Sequence, residues 1–159
     1  PAGAQAQVMG VFHPNLTEPL ARVLGNLGIR HALVVHGLDG VDEISISAPT
    51  VISEMEDGYV QTYRVAPEDV GLSRAPREYI RGGTKEENAR ITEAILGGET
   101  GPRRDVVLLN AAAALLAADK VRSLREGVAL AEQSIDSGAA LRALTGLREL
   151  SRSLAQQSA

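Results

Sequence analysis

The feature that most constrains this 159-residue chain is the close succession of an apolar run, an amphipathic stretch and a second apolar run. Val8 to Phe12 is too short for a helix and is closed by Pro14, so it reads as a strand. Asn15 or Thr17 then caps a helix whose Leu20, Val23, Leu24 and Leu27 fall at i, i+3, i+4 and i+7. Gly28 supplies the left-handed stop. Ala32 to Val35, short and valine-rich, reads as a buried strand parallel to the first. Strand, helix and strand in this order make a βαβ unit.

The chain after the unit changes character twice. Glu43 to Ser47 alternates apolar and polar residues, the pattern of a half-exposed strand. Thr50 to Met55 and Tyr59 to Val65 flank Asp57-Gly58, a strong hairpin signal. Pro67 to Asp69 and the region of Pro76 are turn-like. Four helices follow. The first opens on a capping-box pattern at Thr84 and Glu87, turns Ile91 and Ile95 inward and stops at Gly97-Gly98. The second, alanine- and leucine-rich, spans about Arg104 to Ala118. The third opens on Ser123 and Glu126, carries a stripe of Leu124, Val128, Ala131 and Ile135, and ends at Gly138. The fourth covers about Ala139 to Leu154. The fold class expected is α/β, with a mixed, partly parallel sheet and helices packed on it. Because aromatic residues are only 3%, Ala, Val, Leu and Ile must fill its core.

Bulk charge and composition narrow the function. A net charge of −4 argues against a general nucleic-acid binder, which presents a basic face. Cysteine is absent, which removes disulfides, zinc thiolate sites and thiol nucleophiles. No apolar run approaches the roughly 20 residues of a membrane span, and no signal-peptide pattern is present. The expectation is a soluble cytoplasmic protein.

Chemistry is best sought between His36 and Glu43, because ligands of open α/β sheets bind beyond the carboxyl ends of parallel strands. Gly37 and Gly40 allow tight turns, and Asp42 and Glu43 are adjacent carboxylates able to face one or two hard cations. The plainer reading is a solvated acidic turn, since short acidic loops are common. His36 reads as a strand-end residue bonded to backbone. His13 and His31 read as surface or junction residues without acidic partners at metal-ligand spacing. Asn110 breaks an apolar helix and reads first as a packing device. Asn88 needs no more than a first-turn role. Arg103 and Arg104 read as exposed at a helix start. The pairs Gly82-Gly83 and Gly97-Gly98 match no phosphate-loop pattern, and no Ser/His/Asp constellation is present.

Four stretches taken together carry a resemblance. They are Pro1 to Ala4 leading through Val8 to Phe12; Val34 to Gly37 with Asp39 to Ser45; Glu86 to Ala89; and Leu109 to Ala113 followed by Ser123 to Gly127. In this order and spacing the chain resembles the C-terminal part of the anthranilate phosphoribosyltransferases along essentially its whole length. The resemblance implies a nucleoside phosphorylase/phosphoribosyltransferase-type large domain, incomplete here. It implies transfer of phosphoribosyl from phosphoribosyl pyrophosphate to anthranilate in tryptophan biosynthesis, Mg2+ as cofactor and a homodimer when complete. The family's Asp-Glu magnesium pair matches Asp42 and Glu43. Its pyrophosphate loop, Lys-His-Gly-Asn-Arg motif and anthranilate-binding arginine lie upstream of the point matched by Pro1, so no catalytic residue is carried over. Residues 1–159 are then expected to be the C-terminal portion of the α/β domain. The N-terminal helical domain and pyrophosphate loop are outside the chain, leaving a sheet edge to be covered by the N-terminal part. Two other readings are a non-catalytic assembly module and a nucleic-acid-binding relative of the same fold. The acidic balance opposes the second.

Overall fold

The computed structural model describes residues 3–157. Its centre is a four-stranded sheet in the order β1-β2-β3-β4, formed by β1 (Ala6–Gly10), β2 (His31–Gly37), β3 (Thr50–Glu56) and β4 (Tyr59–Val65). β1 and β2 run parallel, with Val8 beside Leu33 and Gly10 beside Val35. β2, β3 and β4 are antiparallel in sequence order. The mixed, partly parallel sheet expected from the sequence is therefore present. Its first two strands depart from their apolar runs: β1 starts at Ala6 rather than Val8 and ends before Phe12, and β2 extends beyond Ala32–Val35 at both ends.

β2 explains the layering. All seven of its residues are buried. Leu33 and Val35 face one cluster; Ala32 and Val34 face another. A strand covered on both faces reads as a continuous apolar run rather than an alternating one. α1 (Thr17–Asn26) covers the Ala32 and Val34 face, bringing Ala21 and Leu24 against Met55. The buried stripe of α1 is Thr17, Ala21 and Leu24, whereas Val23 and Leu27 of the expected stripe are exposed. The reason is close approach: a Cβ at Gly25 would meet the Met55 sulfur at 3.1 Å, so the helix turns its small residues to the sheet. Neither Asn15 nor Thr17 caps this helix by its side chain. A 3-10 turn over Pro14–Leu16 precedes it, and Thr17 Oγ1 donates to the Pro14 carbonyl at 2.9 Å.

The opposite face carries α2 (Lys85–Leu96), α3 (Pro102–Ala117), α4 (Leu124–Asp136) and α5 (Ala139–Gln157). The Thr84–Glu87 capping box closes in both directions. At α4 only half of the expected box forms: Ser123 Oγ accepts from Glu126 N–H, while the Glu126 carboxylate accepts from Arg122 N–H instead. The stripe of Leu124, Val128, Ala131 and Ile135 is buried as expected. α4 reaches α3 because Gly127 lies against Ala112; a Cβ at Gly127 would stand 2.8 Å from the Ala112 Cα. Arg104 is not exposed. It is 5% accessible and donates to Asp136 at 2.7 Å and Glu132 at 3.3 Å, tying the start of α3 to the end of α4.

Two further expectations fare differently. Asp57 and Gly58 both have positive φ, at 47° and 85°, as a two-residue hairpin turn requires. The segment Glu43 to Ser47 is not a strand. Ile44, Ser45 and Ile46 are all buried in succession, so the alternation of residue types does not become an alternation of faces.

Candidate functional site

The carboxyl ends of the parallel strands β1 and β2 meet at two glycines. A Cβ on Gly10, the last residue of β1, would lie 1.5 Å from the Asp42 carbonyl oxygen. A Cβ on Gly37, the last of β2, would lie 2.6 Å from Val41 Cγ2 and 2.7 Å from Asp39 Oδ1. The loop from Leu38 onward is thus folded down on the strand ends, an approach open only to glycine. Gly40, at φ 90°, turns the loop, and Gly37 N–H donates to the Val41 carbonyl at 2.9 Å.

Side chains then fix the far half of the loop. Ser45 Oγ donates to Asp39 Oδ2 at 2.9 Å and accepts from Ser47 N–H at 2.9 Å. Thr50 Oγ1, fully buried, accepts from Ser45 N–H at 2.9 Å. Asn110 of α3 accepts from Ile44 N–H at 3.0 Å and donates to the Ile44 carbonyl at 2.9 Å. These bonds replace the strand ladder that the sequence pattern suggested for this segment. They also leave Asp42 and Glu43, immediately before Ile44, projecting outward. Both residues are exposed, and among the described residues neither carboxylate has a hydrogen bond or an ion pair.

Asp42 and Glu43 line an open cavity of about 520 Å³. Its other wall is the segment of the 3-10 helix Arg77–Ile80 and the residue after it, which contributes Arg77, Glu78 and Arg81. Two adjacent, unpaired oxygen donors at the edge of an open space suit a hard cation that keeps several waters, as Mg2+ does. The donor set contains no sulfur or imidazole that would favour zinc or copper. His36 does not join it: buried in β2, its Nδ1 donates to the Val11 carbonyl at 2.7 Å, which is the strand-end role expected. Asn88 caps its own surroundings, accepting from Gly83 N–H at 2.8 Å.

A second titratable cluster lies at the other end of the sheet. His31 is buried rather than at the surface. Its two ring nitrogens stand 2.9 Å from Asp119 Oδ1 and 2.9 Å from Glu54 Oε1. Arg30 pairs with the same Asp119, and Tyr63 donates to Glu54 at 2.8 Å. Burial pulls the imidazolium down, but the bonds to Asp119 and Glu54 outweigh it and hold the His31 pKa above its usual value. Bonds from His31 and Arg30 depress that of Asp119. The acidic partners stand 23 and 88 residues away in sequence, so no local spacing reveals them. His31, Glu56 and Asp119 could together surround a cation, yet both His31 nitrogens are already engaged.

Residues 1–141 match the family model described as glycosyl transferase family, a/b domain. The chain belongs to this glycosyl transferase family. Along its whole length it is 79% identical to an anthranilate phosphoribosyltransferase of Symbiobacterium thermophilum, of which it covers 47%. It is 55% identical over 98% of its length to the enzyme of that name from Thermomicrobium roseum, covering 46% of it. The chain therefore spans about half the length of the curated relatives it matches. Among solved members, the anthranilate phosphoribosyltransferase of Thermus thermophilus superposes with a TM-score of 0.80 at 43% identity, covering 89% of this chain and 41% of that one. The Saccharomyces cerevisiae enzyme in complex with PRPP and Mg superposes at 0.78 with 28% identity, covering 88% and 41%. The glycosyl transferase α/β architecture agrees with the fold expected from the four matched stretches.

Asp42 and Glu43 are candidates that the sequence already offered; the wall that faces them is not. Arg77, Glu78 and Arg81 sit in a stretch read only as turn-like. Gly10, inside an apolar run, was the one available signal that backbone approaches backbone at the end of β1.

Proposed function

We propose that the chain is the C-terminal portion of the α/β domain of an anthranilate phosphoribosyltransferase. The complete enzyme transfers phosphoribosyl from phosphoribosyl pyrophosphate to the amine of anthranilate in tryptophan biosynthesis, and works as a cytoplasmic homodimer. The helical domain and the pyrophosphate loop belong to an upstream part, without which this portion is inactive. The observation that carries the reading is the Asp42–Glu43 pair, unpaired and projecting into the cavity beyond the ends of the parallel strands, in a chain 79% identical to a protein of that name. No helix among the described residues is long and apolar enough to cross a membrane, which accords with the cytoplasmic assignment. β1 pairs only with β2 among the described residues, which accords with an upstream part completing the sheet at that edge.

Asp42 and Glu43 are the residues that hold Mg2+ in this reading. When bound, the ion neutralises charge on the departing pyrophosphate. The work of this chain's own residues is positional. Gly10 and Gly37 let the loop seat on the strand ends, and Asn110 fixes the backbone that follows Glu43. The backbone that carries the two carboxylates is thereby fixed, and their negative charge would bear on the leaving group only through the cation they hold.

The test is co-expression with the upstream half of the Symbiobacterium thermophilum relative, followed by loss of anthranilate fluorescence in the presence of phosphoribosyl pyrophosphate and Mg2+. Turnover that Asp42→Ala abolishes is the expected result. A folded, co-purifying complex that never consumes anthranilate would overturn the reading and leave an assembly module.

A further inference from the structure

We propose that Arg81, Arg90 and Arg103 form a binding site for a phosphate dianion, free or as a monoester, that is held without a metal ion. The site occupies a second cavity, beside the one lined by Asp42 and Glu43, and the proposal does not rest on the metal reading.

This cavity, of about 340 Å³, opens between the segment after the 3-10 helix, the first turns of α2 and the start of α3. Its lining holds three guanidinium groups, the pair Gly82-Gly83 and one carboxylate, Glu87. Among the described residues none of the three arginines has an ion pair. Acidic residues outnumber basic ones in the chain, 20 to 16, yet none neutralises the three positive charges gathered here. Glu87 is committed elsewhere: its carboxylate accepts from the Thr84 N–H at 2.7 Å as half of the α2 capping box.

Arg103 states the need most clearly. It is half-buried, not exposed as its place at a helix start suggested. Its Nη2 donates to the Arg81 carbonyl at 3.0 Å, a neutral acceptor, and its Nε is buried with no hydrogen-bond partner. Its charge also stands in the first turn of α3, where the helix dipole disfavours a cation. Arg104, the next residue, is answered by Asp136 and Glu132. Nothing in the chain answers Arg103 in the same way, and an oxyanion in the cavity supplies the missing charge.

The lining selects the class of anion. Guanidinium groups hold phosphate oxygens through planar two-bond forks. Three of them against one carboxylate leave a surplus of two positive charges, and a phosphate monoester carries about −1.5 to −2 at neutral pH. No uncommitted carboxylate or imidazole lines the cavity, so the anion binds without a cation. The wall is also set in advance. Asn88 accepts from the Gly83 N–H at 2.8 Å and donates to the Gly83 carbonyl at 3.2 Å, and a Cβ on Gly82 would meet the Asn88 side chain at 2.6 Å. A site fixed before its ligand arrives loses less on binding.

The experiment titrates the whole chain with inorganic phosphate, and in parallel with glycerol 3-phosphate, by calorimetry in the presence of EDTA. Saturable binding is expected. Tighter binding of glycerol 3-phosphate assigns the site to an esterified phosphate; equal or weaker binding assigns it to the free ion. Arg90→Gln and Arg81→Gln are each expected to weaken binding by about tenfold, the worth of a charge-assisted bond. Both side chains are exposed and have no partner among the described residues, so the variants keep the fold. Arg90→Lys should recover part of the loss. Arg64→Gln, which removes an exposed, unpaired charge on β4, should leave binding unchanged. Mn2+, standing in for Mg2+ and followed by the electron paramagnetic resonance of the free ion, should bind Arg90→Gln as it binds the unaltered chain. No binding of either probe at millimolar concentration, binding that appears only when Mg2+ is added, unchanged affinity in both Arg90→Gln and Arg81→Gln, or an equal loss in Arg64→Gln overturns the proposal. None of these results touches the metal reading, which fails separately if Mn2+ does not bind the unaltered chain.

Discussion

Asn110, in the middle of α3, satisfies both backbone polar groups of Ile44, a residue 66 positions earlier and directly after the Asp42–Glu43 pair. Its amide also donates to the Val106 carbonyl at 3.0 Å, within its own helix. One side chain thus stands in for a missing neighbouring strand and joins the candidate site to the helical layer.

Asn110→Leu removes these bonds and leaves the Ile44 N–H and C=O unsatisfied beside a buried side chain. The expected cost is about 2–4 kcal/mol, because an orphaned buried polar group loses its full desolvation energy. Urea denaturation should show a lower midpoint with an unchanged slope. Mn2+ affinity should fall as well, since the carboxylates lose their support.

Gly10→Ala is expected to move the loop rather than the strand. Its Cβ cannot share space with the Asp42 carbonyl 1.5 Å away, and β1 is held by its ladder to β2. Overpacking of this kind costs about 1–3 kcal/mol. The sharper readout is Mn2+ binding, which should drop at a protein concentration and temperature where circular dichroism still reports a folded chain. Gly98→Ala is the control: a Cβ there meets nothing, and its penalty comes only from a φ of 101°.

The His31 cluster makes stability depend on pH with a definite sign. A group whose folded pKa is raised contributes fully below its unfolded value and loses that contribution as pH rises through the folded one. His31 is such a group, so its contribution should fade above about pH 6.5, the ordinary histidine value. Asp119, depressed by its bonds to His31 and Arg30, works in the opposite sense and loses its contribution as pH falls through its lowered pKa. The stability difference between the unaltered chain and His31→Gln, measured by urea melts from acid to alkaline pH, should shrink on the alkaline side. A difference that grows there would contradict the assignment.

At the α3–α4 junction, the charged partners should be unequal in effect. Arg104 is buried, whereas Glu132 and Asp136 are each 55% accessible. Asp136→Ala strands a buried guanidinium with one weaker partner and should lower the melting temperature, by less than loss of a fully buried pair would because the lost carboxylate was half in water. Arg104→Met, which removes the buried charge itself, should cost less. Thermal melts of the two variants side by side decide the order.

The parts of the fold legible in the sequence are those governed by near neighbours. The strand-helix-strand order of the opening, the Asp57-Gly58 turn, the Thr84–Glu87 box and the stripe of α4 are marked by residue patterns within single short stretches, and all appear in the structure. The candidate pair Asp42 and Glu43 was legible for a related reason: its place after a parallel strand and its match to the family both lie in one continuous stretch.

Tertiary structure decided what distant residues do to one another. Glu43 to Ser47 alternates like a strand, but Asn110 and Thr50 take its backbone bonds and Ile44 to Ile46 are buried in succession. His31 became a buried, doubly bonded imidazole because Glu54 arrives from β3 and Asp119 from just beyond the end of α3. Arg104 became interior because α4 brings Asp136 to it. Arg77 and Arg81 entered the candidate site because Arg103 and Ile46 hold their segment there. The sequence by itself determined periodicities, turns and caps, whose energies are local. Which polar groups end as partners was settled only by packing, because a buried polar group is costly without a partner and the partners come from wherever the chain brings them.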